Sequence, residues 1–339
     1  MLGASMALGG LISGYGRANA GSCTSDGSGN YVCQGPIAPG DTTQTLTLTG
    51  GTVSTDAGFG IDTTASASGP AFHITGSGTF TDNQASTIAG GTNGIGAYNT
   101  GVGALTISTS GTVSGAAGYA IRAFNNTGST DLTISAATLQ GLDGGIDARN
   151  NGSGSTTINV TGPITSSGGT GVMAMSHGGS LTITTAGVNS DETAISAINY
   201  GSGLVSVATT ADVVSSSASG VVVTNAQGGG VIVTTSGTVT SGNEGIAVTN
   251  SAGSATPGDV TVTAHNIVSQ SYGINANQDG AGALNVTTTG TVTQTSDLAD
   301  QAAAVVVHGL GSAVTVNTGP LNGAVFGLIA RNDGTGPMT

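Results

Sequence analysis

The side chains equipped for chemistry are few in this 339-residue chain: 17 acidic residues, 4 arginines, 4 histidines, 2 cysteines and no lysine. Four of them crowd one region, Arg122, Asp143, Asp147 and Arg149. Carboxylates set among arginines can act as general acid and base on a sugar polymer, or hold calcium against one. These four are the weak catalytic candidates of the chain. The plainer reading, and the favoured one, is an exposed ion pair worth under about 1 kcal/mol. Tyr98, Phe124 and Arg149 are the candidate binding residues, because exposed aromatics beside a guanidinium can stack on a sugar or a partner protein. The histidines, His73, His177, His265 and His308, are scattered and form no His-x-x-x-His pair, so no metal site is expected. A Gly-x-Ser-x-Gly elbow, a Walker lysine and a Gly-Gly-x-Gly-x-Asp calcium repeat are all missing. No cofactor is implied, and catalysis is less favoured than binding.

The elements that position these residues are legible as an internal repeat. An apolar-x-apolar strand recurs at Leu46–Leu48, Phe72–Ile74, Leu105–Ile107, Leu132–Ile134, Ile158–Val160 and Leu181–Ile183. It continues at Val205–Val207, Val231–Val233, Val260–Val262, Leu284–Val286 and Val314–Val316. A second apolar marker follows each, from Val53 and Phe80 to Val292 and Leu321, and then a third, from Ile61 and Ile95 to Val305 and Leu328. The spacing is about 27 residues, and the helical period of 3.6 is absent. Short Thr- and Val-rich strands of this kind cannot bury an apolar face alone, so the units must stack. The pattern predicts an all-β protein: a right-handed parallel β-helix, a three-sheet solenoid of about eleven coils. At ~4.8 Å per coil it would extend roughly 50 Å.

The third strand carries the finest detail. Gly or Ala always precedes its marker, and Ala often follows two residues later, as in Ala97, Ala148 and Ala276. Four residues past the marker stand Asn99, Asn125, Asn150, Asn199, Asn225, Asn250 and Asn332. Asn tolerates left-handed turn conformations, and stacked amides can hydrogen-bond as a structural Asn ladder. One residue past the marker, an outward column should hold Asp62, Arg122 and Asp147. A second should hold Tyr98, Phe124, Arg149, Met175 and Ile198. Two long intervals, 81–94 and 293–304, read as loops on one edge, where binding commonly sits.

Composition excludes several classes. Only 6% of residues are charged and the formal net charge is −13, so a basic nucleic-acid surface is not expected. The 61 glycines follow no Gly-X-Y register, which removes collagen. No apolar run suits an ordinary membrane-spanning helix. The amino terminus ends a small-apolar stretch at Ala18-Asn19-Ala20, matching a signal-peptidase site, with the usual basic start missing. Cys23 and Cys33 follow directly, an even pair that suggests a disulfide in an exported chain. The expected organisation is a signal peptide at 1–20, a disulfide-containing cap at 21–45 and a β-helix at 46–339.

The Ala-x-Ala site, the adjacent cysteine pair and the coils marked by Gly-Thr-Val and Gly-Ile-x-Ala-x-x-Asn together resemble bacterial autotransporter passenger domains. That resemblance implies export to the cell surface, the outer membrane or the extracellular space. It also implies a C-terminal translocator barrel in the full-length protein, of which this sequence shows no trace. The implied function is adhesin-like: binding a host or surface glycan, a protein, or a second copy of itself. The alternative is a β-helical lyase or glycoside hydrolase acting on acidic polysaccharide.

Overall fold

A computed structural model describes residues 20–38, 40–66, 69–251, 258–296, 303–311 and 313–339. The described residues contain strands, turns and one short 3-10 turn at Thr64–Ser66, and no α-helix. The chain winds as a parallel β-solenoid of about eleven turns. Residues 1–20, expected from the sequence to be a signal peptide, fall almost wholly outside the described residues.

Each coil has three strand segments, and these hydrogen-bond into two sheets rather than three. The third segments form a twelve-stranded sheet. The first and second segments merge into a twenty-stranded sheet, because several strands run through the corner between them. Thr156–Ser166, Leu181–Ser190, Val231–Ser241 and Val260–Ser269 do so. The bend is absorbed by register shifts between Val160 and Pro163 and between Thr235 and Thr238. An irregularity of that kind turns a strand without ending its ladder.

The early coils differ in phase from the sequence reading. Strands Gln44–Thr47 and Phe72–Thr75 join the twelve-stranded sheet, with Leu46 opposite Ile74 and Phe72 opposite Ile95. Val53 and Phe80 therefore stack under Ile107, and Ile61 stacks under Ile88 and Val113. The interval 81–94 is not an inserted loop: it holds the strand Thr87–Gly90, whose inward Ile88 is the marker that completes the coil. In the other long interval, Thr293 and Gln294 belong to a strand, and 297–302 lie outside the described residues.

The core is one layer of small side chains. Where the first segment supplies Leu105 and Ile107, or Leu132 and Ile134, the third supplies Ala123 or Ala148. Where it supplies only Val205 and Val207, or Val231 and Val233, the third supplies Val223 or Val248. Volume is traded across these coils, as a tightly packed interior favours, although the coil of Val260 and Val262 supplies Ala276. The Gly before each third marker has a specific cause. A Cβ on Gly94, Gly145, Gly171 or Gly273 would lie 2.5, 2.3, 2.3 or 2.3 Å from a methyl of Val113, Ile164, Val188 or Val292. Each of those methyls belongs to the next coil, so glycine is the seat into which the neighbour packs.

The amino-terminal end is closed by an antiparallel hairpin of Ser22–Ser25 and Tyr31–Gln34, in which Cys23 and Cys33 are opposite and disulfide-bonded. Tyr31–Gln34 then pairs in parallel with Gly51–Thr55, which ties the hairpin to the first coil. At the other end Leu328, in register with fully buried Val305, is 44% exposed, since no complete coil covers it.

Candidate functional site

The outer face of the twelve-stranded sheet carries the only concentration of arginine and aromatic side chains among the described residues. Strand alternation sends the residues at one and three past each marker outward. In the first column His73, Gly96, Arg122, Asp147, Met173 and Ser196 follow one another in register. In the second come Tyr98, Phe124, Arg149, Met175 and Ile198. Asp62 is not in this face: it belongs to the other sheet, opposite Ala89, and its carboxylate caps the backbone N–H and hydroxyl of Thr64.

Asp147 differs from the exposed ion pair expected of it. It is only 1% exposed, lying beneath two arginines that are themselves 40% and 36% exposed. Arg149 Nε donates to Asp147 Oδ1 at 2.9 Å, and Arg122 Nε lies 3.4 Å from Oδ2 without completing a hydrogen bond. Phe124 explains the arrangement. Its ring stands between the guanidiniums, whose carbons lie 5.1 and 5.3 Å from its centroid, and cation–π attraction holds both against it. Tyr98 stacks on Phe124 at 5.7 Å and 16°, and His73 follows at 5.4 Å from Tyr98. The result is an aromatic rail along the solenoid axis, ending in two guanidiniums. Asp143 is exposed in the preceding turn and makes no ion pair among the described residues. Because the oxygens of Asp147 face guanidiniums, the two carboxylates do not converge on one open groove as acid and base would.

Tyr119, which the sequence reading passed over, lies beside this cluster, opposite Gly144 in the ladder. Its phenol is raised above the ordinary tyrosine value, first by burial, then by the charges of Asp147 and Asp143, and the two arginines oppose them. The fold thus favours the neutral phenol. This contribution is full below about pH 10 and is lost as pH rises beyond it. Asp147→Asn should move the Tyr119 midpoint down, seen as earlier phenolate absorbance in a titration from which the Tyr119→Phe curve is subtracted. An unmoved midpoint would mean that burial alone sets it.

The other histidines are dispersed. His177 stacks on Tyr200 at 4.7 Å, and His265 Nδ1 is 3.0 Å from the Thr289 hydroxyl. His308 and Arg331, neighbours in register, share Asp333, with His308 Nε2 at 3.2 Å and an Arg331 terminal nitrogen at 2.7 Å. Asp333 is held below the usual carboxylate range, by Arg331 first and His308 second. The common column of His308 and Arg331 was a signal for this cluster; the turn position of Asp333 hid it. Among the described residues no group of three or more His, Cys, Asp or Glu side chains could hold a metal ion.

The asparagines Asn99, Asn125, Asn150, Asn199, Asn225 and Asn250 stack in register and are buried, with Ser176 and Gln278 in the same column. Asn332 continues it beyond Gly309. They are strand residues: the only described non-glycine residue with positive φ is Ala85. Their amides mostly reach turn carbonyls, as when Asn199 Nδ2 donates to Gly179 O and Gly203 O at 3.3 and 3.0 Å. One amide–amide bond occurs in the column, from Asn250 to Gln278 at 2.9 Å.

The fold is a β-solenoid whose outer strip gathers arginines and aromatic rings around a buried carboxylate. Comparison with known proteins adds no identity: no family model, no curated protein and no solved structure matches the chain.

Proposed function

We propose that this chain is an exported, surface-exposed β-solenoid that acts by binding, an adhesin-like passenger of the autotransporter type. The observation that carries the reading is the strip of Tyr98, Phe124, Arg122 and Arg149, half-buried rings and guanidiniums stacked on one another along the outer face of a rigid sheet. Rings held by a β-ladder lose little entropy on meeting a partner, which favours recognition. The Cys23–Cys33 disulfide supports an oxidising, extracytoplasmic setting. The passenger reading further expects a translocator barrel as the partner in export. Cleavage of acidic polysaccharide has less support, since Asp147 is covered by its arginines.

The test is a panel of immobilised glycans, matrix proteins and the chain itself. Binding to at least one is expected, and Phe124→Ala should weaken it by about tenfold or more while circular dichroism stays unchanged. Failure across the panel, or binding indifferent to Phe124, would overturn the reading.

A further inference from the structure

We infer that a groove at the amino-terminal corner of the solenoid is a binding site for a neutral oligosaccharide. It lies apart from the cluster of Arg122, Phe124, Asp147 and Arg149, so it goes beyond the reading above and does not depend on Phe124.

The groove spans three successive turns. They follow the strands Gln44–Thr47, Phe72–Thr75 and Ile95–Asn99 and lead into Gly51–Thr55, Gly78–Asp82 and Gly103–Thr109. Its volume is about 650 Å³. That lies inside the range of roughly 300–1,000 Å³ usual for small-ligand clefts. The sequence explains why it opens here. Thr47, Thr75 and Tyr98 are in register, so Leu48 and Gly76 stand in the column that Asn99 and the later asparagines occupy. Asn99 ties its own turn, donating to Gly103 O at 3.0 Å and accepting from Gly101 N at 3.0 Å. Leu48 and Gly76 have no amide to do this. Gly50, Gly76 and Gly103, one in each turn, have φ of 83°, 90° and 97°. That left-handed conformation favours glycine, and so keeps side chains out of the space. A Cβ on Gly50 would meet nothing within 4 Å.

The lining decides the ligand. Leu48, 2% exposed, is the floor, and Val102, 77% exposed, is a wall on the turn that Asn99 holds. Thr49, Ser77 and Thr100 bring hydroxyls to the rim, and the Thr75 hydroxyl donates to that of Thr47 at 3.2 Å. Among the described residues no charged side chain lines the groove. An ionic ligand would lose hydration there with nothing in return. A neutral pyranose matches. Its C–H face seats on Leu48 and Val102, and its hydroxyls meet those of the rim and the peptide groups bared by the glycines. A purely aliphatic ligand would leave the rim hydroxyls it covers unpaired.

The experiment is saturation-transfer NMR of the intact chain. The neutral probes are cellotriose, maltotriose and mannotriose, with trigalacturonate as a charged one and hexanol as an apolar one. At least one neutral trisaccharide should take up saturation on its C–H protons. Ser77→Tyr fills the groove and should abolish that signal while circular dichroism stays unchanged. Val102→Ala, a change at an exposed side chain, should weaken binding about fivefold, and decides alone if Ser77→Tyr disturbs the fold. No neutral probe bound at millimolar concentration, or binding unchanged in the folded groove variants, overturns the inference. Trigalacturonate or hexanol bound as well as the best neutral sugar overturns the ligand class. Sugar binding lost in Phe124→Ala and kept in Ser77→Tyr overturns this inference and leaves the strip as the site. Failure of the neutral sugars, with a Phe124-dependent partner found elsewhere in the panel, overturns this inference alone.

Discussion

Phe72→Ala should destabilise the amino-terminal coils by about 3–5 kcal/mol. Phe72 is fully buried, with Phe80 at 4.9 Å edge-on and Phe59 at 6.0 Å. Its strand is hydrogen-bonded on both sides, to Gln44–Thr47 below and Ile95–Asn99 above. Those ladders hold the coils open, so the walls cannot close on the space left by the ring. The cost should then fall toward the upper end of the range for aromatic truncation. Units of a solenoid feel mainly their neighbours, so the damage should be local. Hydrogen exchange should show early loss of protection from Gln44 to Asn99, with the strands beyond Val205 little changed. Urea unfolding followed by circular dichroism gives the magnitude. A loss below about 1 kcal/mol would mean that the coils do collapse, and that the core is softer than its packing implies.

Asn199→Leu should cost about 2–4 kcal/mol. The amide donates to Gly179 O and Gly203 O, and its Oδ1 accepts from the buried Gly201 N–H at 3.0 Å. Leucine fills similar space and abandons that donor, and a buried donor without a partner costs the full price of desolvation. Asn225→Leu is the sharper half of the test. Asn225 also bonds two carbonyls, Gly203 O and Gly230 O. Each of these keeps another donor, Asn199 Nδ2 and Val205 N respectively. The Oδ1 of Asn225 has no partner to lose. The same substitution one coil further along the column should therefore be distinctly cheaper at 225. Equal costs in denaturant titrations would show that the column works by shape and not by its hydrogen bonds.

The contrast between these asparagines shows where sequence reading stops. Their recurrence, four past an apolar marker, revealed the column and the coil length. What each amide bonds depends on how far its own turn leans toward the next coil, and no spacing reports that. The same holds for phase. Leu46–Leu48 and Phe72–Ile74 carry the apolar-x-apolar sign of a first segment, and only the pairing of Phe72–Thr75 with Ile95–Asn99, and of Gln44–Thr47 with Phe72–Thr75, reveals them as third segments. Ile88 is hard to recognise in the sequence because Ala, Ser and Thr around it lack the Gly-Thr-Val mark of other second segments. In the site, alternation along the strand was enough to place Arg122 beside Asp147 and Phe124 beside Arg149. The burial of Asp147 was not readable, because it arises from two long side chains folding back over a carboxylate and pressing on one ring.

The parallel ladders also decide how such a rod answers to force. Hydrogen bonds between coils run along the solenoid axis, so tension applied at its two ends loads them end-on, one coil after another. A pulled rod should yield as a series of small ruptures instead of one large one. Each coil of about 27 residues would release a tether of about 90 Å as it peels. At the amino-terminal end the Cys23–Cys33 bridge withholds the loop it encloses from that extension. A molecule built this way behaves as a stepwise shock absorber, lengthening under load while the coils that remain still present their outer face.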